Sequence, residues 1–175
     1  QACVEAQFRD RAGNQSVVVS AGTLLDTTLP RVALAIVPAG CTSSPAVQLH
    51  LSTSDTGSGV AEMRMRDAGS AFGAWQPVAA TVPWTLPGGD GQRCVDVEVR
   101  DRAGNVSLPD SDCTTLDTTA PVGRMAINGG ATCTNQALVN LTVGYTDQGC
   151  WPGEVRIRVL RTAIWLPLLL WLLLR

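Results

Sequence analysis

The run Asp10-Arg11-Ala12-Gly13-Asn14 returns unchanged as Asp101-Arg102-Ala103-Gly104-Asn105, 91 residues further on. The same interval separates Asp26-Thr27-Thr28-Leu29-Pro30 from Asp117-Thr118-Thr119-Ala120-Pro121. A third set of matches lies at an offset of 92: Cys41 with Cys133, Val47 with Val139, Leu51 with Val143 and Asp55 with Asp147. One residue is therefore inserted ahead of Cys133. Three concordant sets over such a distance make an internal repeat. Its length exceeds the roughly 20–50 residues of most solenoid units and approaches the ~100 residues of a two-sheet β-sandwich. The chain then divides into the C-terminal part of a first unit (1–25), a complete unit (26–116), the N-terminal part of a third (117–158) and an apolar tail (159–175).

The hydrophobic pattern supplies the strands. In the complete unit, Val32, Leu34 and Ile36 alternate with Arg31, Ala33 and Ala35, and Val47, Leu49 and Leu51 with Gln48, His50 and Ser52. Ala61, Met63 and Met65 alternate with Glu62, Arg64 and Arg66, and Val95, Val97 and Val99 with Asp96, Glu98 and Arg100. Period two with one apolar face predicts antiparallel strands covering a core on one side. No window carries a helical stripe of useful length. The many Gly, Pro, Asp and Ser residues fall between the strands, where tight turns need them. The fold class is all-β.

The repeated runs read as turn chemistry. Asp101 is expected to accept hydrogen bonds from N–H groups two residues on, and Gly104 and Asn105 tolerate the left-handed conformation needed for the chain to reverse into a hairpin. Pro30 and Pro121 mark domain starts, since Pro lacks an N–H and suits the first residue of a strand.

The stretch Arg100-Asp101-Arg102-Ala103-Gly104-Asn105-Val106-Ser107, followed by Asp117-Thr118-Thr119-Ala120-Pro121, resembles tandem bacterial Ig-like repeats, in which an RDxAGNxS hairpin precedes a DTTAP junction. Gly59–Arg64, Trp75, and Trp84-Thr85-Leu86 ahead of Gly89-Asp90-Gly91 fit the same pattern. The resemblance covers nearly all of residues 1–158. It implies tandem immunoglobulin-like antiparallel sandwiches, one complete and two partial, in a secreted or cell-surface bacterial protein. Such repeats serve as stalks, spacers or adhesive modules, or accompany an extracellular hydrolase as accessory, carbohydrate-binding domains. The partners implied are neighbouring repeats in the same chain and an extracellular protein or glycan ligand. Fold likeness does not name that ligand.

Six cysteines in an exported β protein predict disulfides. Cys94 corresponds to Cys3 and Cys41 to Cys133, so these two positions belong to the repeating unit. The turn after the first strand and the start of the sixth lie at one end of a sandwich of this order, which favours a Cys41–Cys94 bridge. Cys3 and Cys133 would then lack partners within the chain, and Cys113 and Cys150 would join neighbouring domains. The rival is Cys94–Cys113, a cross-strand bridge in the hairpin that turns at 101–105. Against it, the first repeat has Gly22 where Cys113 would fall.

No catalytic set is expected. The one His, His50, falls on the polar face of a strand, and without a second base there is no Ser-His-Asp or Cys-His arrangement. No Cys-x-x-Cys is present, and one His cannot complete a zinc site. No phosphate loop or dinucleotide fingerprint occurs. The 13 basic residues are all Arg, balanced to a net charge of -2, which argues against nucleic acid. Asp26, Asp55 and Asp101 should project from one end of the complete unit, with Asp117 and Asp147 repeating the first two. Clustered carboxylates suit Ca²⁺, but each Asp is also a good turn residue, so no metal or cofactor is assigned. Trp75 and Trp84 are expected in core or edge packing rather than as a sugar platform, and the sequons at Asn14, Asn105 and Asn140 as by-products of turn and strand chemistry. The chain begins at Gln1 with no apolar leader, so an export signal is expected upstream or already removed. Repeat matching stops at Arg158, and about a dozen apolar residues interrupted by Pro167 follow, fewer than the ~20 a membrane helix needs. A truncated or frame-shifted third repeat is expected there in preference to a membrane tail.

Overall fold

In the computed structural model the described residues are 2–150 and 153–158; every regular element among them is a strand, apart from a 3-10 turn at Asn128–Gly130. The chain separates into two units, Gln1–Asp117 and Thr118–Arg175. The first begins with the antiparallel pair β1 (Ala2–Ala6) and β2 (Val19–Thr23). It continues through β3 (Arg31–Val37), β4 (Gly40–Thr42), β5 (Ala46–Ser54), β6 (Val60–Asp67), β7 (Gln76–Pro77), β8 (Thr81–Thr85), β9 (Gly91–Asp101) and β10 (Asp110–Leu116). The second contains the antiparallel pair β11 (Val122–Ile127) and β12 (Leu141–Thr146).

Strands β3 to β10 form a two-sheet sandwich. One sheet runs β3-β5-β8 and the other β4-β10-β9-β6-β7. The period-two faces meet between them: Ile36, Val47, Leu49 and Leu51 from the smaller sheet, and Met63, Met65, Val95, Val97, Val99 and Leu116 from the larger, are all buried, with Leu86 beside them. Each full burial of such a side chain stabilises by about 1.5–3 kcal/mol, which fixes the register, since a one-residue slip would turn the apolar set to solvent. This is an immunoglobulin-like sandwich. One pair departs from the antiparallel expectation: β4 lies parallel to β10, Cys41 beside Thr115. The chain leaves β3 at Val37, crosses Pro38 and enters the opposite sheet as β4.

Edges are managed by side chains. The Asp110 carboxylate accepts the N–H of Leu34 at 2.7 Å, and Asp112 accepts that of Ile36 at 2.7 Å. Two carboxylates of β10 thus occupy donors on the outer edge of β3, where an unpaired strand would invite another. On β8, the Ala80 carbonyl and the Leu86 N–H bond toward β5 and its flank. Alternation then turns residue 83 outward, where Pro83 removes a donor from the open edge.

The Cys41–Cys94 expectation is overturned: Cys94 bonds Cys113, with Cα atoms 4.0 Å apart. The two face each other in the β9–β10 register. Cys41 is disulfide-bonded, but not to Cys94. The reason is sheet order. Strand β10 lies between β4 and β9, so Cys41 and Cys94 stand two strand spacings apart, roughly 9.5 Å, beyond the reach of a disulfide. The expected use of Cys113 between domains falls with it. Cys3 and Cys133 are free thiols, and Cys3 faces Gly22 across the β1–β2 pair. Among the described residues no helix is long and apolar enough to cross a membrane. The apolar run after Arg158 lies outside the described residues.

Candidate functional site

The repeated Asp-Arg-Ala-Gly-Asn run folds into the same corner twice. At the tip of β9, Asp101 Oδ1 accepts the Asn105 backbone N–H and Oδ2 accepts the Asn105 side-chain amide, both at 2.8 Å. Asp10 holds Asn14 with the same two bonds at the same lengths. Gly104 and Gly13 carry the positive φ, 97° and 98°. Gly104 thus supplies the left-handed residue of the turn, and the reach of the Asp bonds differs from the expectation. The bonds reach four residues on, and Asn105 is not in the left-handed region. Its side chain is committed instead to donating, to Asp101 Oδ2 and also to the Asp26 carbonyl at 3.0 Å. The serine two residues beyond each Asn completes the motif. Ser107 Oγ accepts the Val99 N–H, as Ser16 Oγ accepts that of Phe8, both at 3.0 Å.

At the Asp101 corner the structure brings Asp26, Asp55 and Asp101 together, with one carboxylate oxygen of each within 4.8 Å of the others. Asp26 accepts the Ser58 N–H at 2.5 Å and the Thr28 N–H at 3.0 Å. These donors, Ser58 foremost, hold its carboxyl below the ordinary carboxylate range. Asp55 Oδ2 accepts from Gly57 at 3.1 Å and Gly59 at 2.7 Å. A Cβ on Gly57 would fall 2.2 Å from the Asp26 carboxylate, so only glycine lets the two segments meet this closely. Arg102 donates to the Ser58 carbonyl at 2.9 Å, and Ser58 Oγ accepts the Ala103 N–H at 3.1 Å. Three loops are thus laced into one end of the sandwich. Among the described residues these three carboxylates are the group placed to share a cation. Five of their six oxygens already accept N–H bonds, and the sixth, Asp55 Oδ1, is buried without a donor. Around Asp147 the turn repeats in part, with the Gly149 N–H on its Oδ1 at 3.3 Å.

The second organised surface is the outer face of the larger sheet, where directly opposed residues of β6 and β9 pair by charge: Glu62 with Arg100, Arg64 with Glu98 and Arg66 with Asp96. Phe72 and Trp75, from the β6–β7 connection, lie over the guanidinium groups. Arg66 is 4.2 Å from the Phe72 ring centre, and Arg64 and Arg100 are 4.4 and 4.6 Å from that of Trp75. Partly exposed ion pairs contribute about 0.2–1 kcal/mol each, and cation–π contacts about 0.5–1 kcal/mol each. Trp84 packs against the core and donates its indole N–H to Asp67 at 3.0 Å. Neither indole is presented as an open platform. His50 is exposed on β5, with Ala35 and Thr81 beside it across the strands.

No family model and no curated protein matches the chain. Among solved structures it is similar to the PKD1 domain of Vibrio anguillarum Epp, at 13% identity and a TM-score of 0.41, over 54% of this chain and 100% of that one. It is also similar to the fibronectin(III)-like modules of Clostridium thermocellum CbhA, at 16% identity and a TM-score of 0.42, over 64% of this chain and 60% of that one. Neither likeness bears on function. The fold rests on its own strand order.

The charge ladder lies on the polar face of β6 and β9, where alternation says nothing of sign. Period two alone marks residues 62, 64, 66, 96, 98 and 100 only as polar. The antiparallel pairing of β6 with β9 places Glu-Arg-Arg against Arg-Glu-Asp, opposite in sign at every rung. That signal was present in the sequence.

Proposed function

We propose that the chain is a non-catalytic structural or ligand-presenting array of Ig-like modules from a secreted or cell-surface bacterial protein. The carrying observation is that the organised polar groups of the complete unit are spent on the fold itself. The aspartates brace loops, the arginines are paired and stacked, and Asp110 and Asp112 cap an edge. A site built for chemistry would leave a base or nucleophile poised in a cleft. The Cys94–Cys113 bridge supports an oxidising compartment.

Two measurements test the reading. Non-reducing peptide mapping of the protein from its native source should recover Cys94 linked to Cys113; free thiols at both positions would remove the exported reading. A glycan and matrix-protein binding array separates presentation from spacing: saturable binding supports an adhesive module, and none leaves a spacer.

A further inference from the structure

The one-residue insertion in the third repeat can be placed. Ile127 matches Ile36 at the offset of 91 and Cys133 matches Cys41 at 92, so the extra residue falls within 128–132, which replaces Val37–Gly40. That segment opens with Asn128-Gly129-Gly130. Asn128 is half-buried and Gly129 and Gly130 are exposed. Asn128 has a φ of 47° and is the non-glycine residue with positive φ among the described residues; Gly129 and Gly130 follow at 68° and 98°. Asn128 also anchors the connection between β11 and β12. Its N–H donates to the Asn140 carbonyl, and its Oδ1 accepts the Asn140 N–H, both at 2.8 Å.

We propose that Asn128-Gly129 is a site of spontaneous deamidation and main-chain isomerisation in the folded protein. The backbone nitrogen of Gly129 attacks Cγ of Asn128. A Gly129 N–Cγ bond forms, the Cγ–Nδ2 bond breaks, and ammonia leaves with the proton released from the Gly129 amide. The resulting five-membered imide is opened by water. Attack at Cγ gives aspartate; attack at the main-chain carbonyl leaves Gly129 joined through Cγ, which is isoaspartate. Three observations favour this position. Gly129 has no Cβ to crowd the attacking nitrogen, and the space where one would sit is open. The Asn140 N–H donates to Oδ1, where negative charge develops as the carbon is attacked. The chain's other asparagines, at 14, 105, 135 and 140, are followed by Gln, Val, Gln and Leu; Asn14 and Asn105 also have their amide nitrogens bound to aspartates.

The products differ in effect. Aspartate keeps an acceptor for the Asn140 N–H and adds one negative charge. Isoaspartate inserts the Asn128 Cβ methylene into the main chain between the anchoring N–H and the Cγ carbonyl that carries Oδ1, so the connection must re-form. The experiment holds the full chain at mildly alkaline pH and physiological temperature. Mass spectrometry of its peptides follows the gain of one amide-to-acid conversion at each asparagine, and isoaspartyl methyltransferase labelling reports isomerised product. Position 128 is expected to convert at least about tenfold faster than any other asparagine, with label confined to its peptide. Gly129→Ala should slow it, and Asn128→Gln should abolish the label. Conversion at 128 no faster than at Asn135 in the folded chain would overturn the proposal. So would conversion seen only when denaturant is present, because the reaction would then belong to the unfolded state.

Discussion

The corners at Asp10–Asn14 and Asp101–Asn105 are identical in sequence and nearly identical in hydrogen bonding, yet their surroundings are opposite. Around the second, Val95, Val97 and Val99 are fully buried, Asp101 is 3% exposed and Leu116 2% exposed. The equivalent positions around the first are open: Val4 is 72% exposed, Phe8 68% and Leu25 76%. Strands β1 and β2 form a two-stranded sheet, whereas β9 and β10 belong to a five-stranded sheet facing a three-stranded one. The turn is therefore a local object. Its Asp, Gly, Asn and Ser build it with bonds inside ten residues. Burial is a separate, tertiary event that converts the same corner into a structural anchor, since only the buried copy also holds the Asp26 and Ser58 segments.

The comparison breaks most readily at Leu116 and Leu25. Leu116→Ala should cost about 2–5 kcal/mol, the range for a buried leucine that leaves a cavity. Leu25→Ala should stay within about 0.5 kcal/mol, as surface changes do. Urea unfolding of both variants measures the two; equal losses would mean that β1–β2 is covered in solution. Next in size is the disulfide. Cys94→Ser with Cys113→Ser opens a loop with a sequence separation of 19, which predicts a loss of about 3 kcal/mol. Cys3→Ser should leave the unfolding midpoint unchanged, because Cys3 faces Gly22.

The third contrast separates corner from anchor. Asn105→Ala removes donors from the buried Asp101 carboxylate and the Asp26 carbonyl, and should cost about 1–3 kcal/mol. Asn14→Ala removes the equivalent bond to Asp10 in water and should not move the midpoint measurably. A matching loss at Asn14 would show that the corner itself, rather than its burial, sets the cost.

The strands were legible because burial on one face writes period two directly: Val95, Val97 and Val99 could be read without a structure, and so could the cluster at Asp26, Asp55 and Asp101. Disulfide pairing was not legible in the same way. The hairpin turning at 101–105 offered Cys94–Cys113 as the rival, and the β9–β10 register bears it out; the chain does not reveal that β10 lies between β4 and β9, which is what separates Cys41 from Cys94. The parity of Cys94, on the outward side with Asp96 and Glu98, excludes it from the core face, and the Gly22 that stands in the first repeat where Cys113 falls weighed against the right neighbour. The role of Ser107 was hidden for a related reason. A serine two residues past a turn looks like ordinary loop composition until the donor it satisfies, the Val99 N–H eight positions back, is seen to be buried.

Protonation tests the anchor without mutation. Asp26 is held below the ordinary carboxylate range by the Ser58 and Thr28 N–H groups. A carboxyl whose folded pKa is lowered contributes stability that is complete above its unfolded value and is lost as pH falls through the lowered one. The melting temperature should hold down to about pH 4 and fall below it. Asp26→Asn should flatten the fall, because the asparagine has no charge to lose. A parallel fall in both proteins would assign the acid sensitivity to other carboxylates.

The smallest expected effect is that of calcium. Ca²⁺ takes 6–8 oxygen ligands, and the three clustered carboxylates offer six oxygens, of which five already accept N–H bonds from their own or neighbouring turns. Those bonds account for the arrangement as a loop brace, so millimolar Ca²⁺ should leave the melting temperature where it is. The oxygen that decides the matter is Asp55 Oδ1, buried and without a donor. A rise in melting temperature with Ca²⁺ that disappears in Asp55→Asn would make that oxygen a ligand. The buried corner would then differ from its exposed twin by a bound ion as well as by a core.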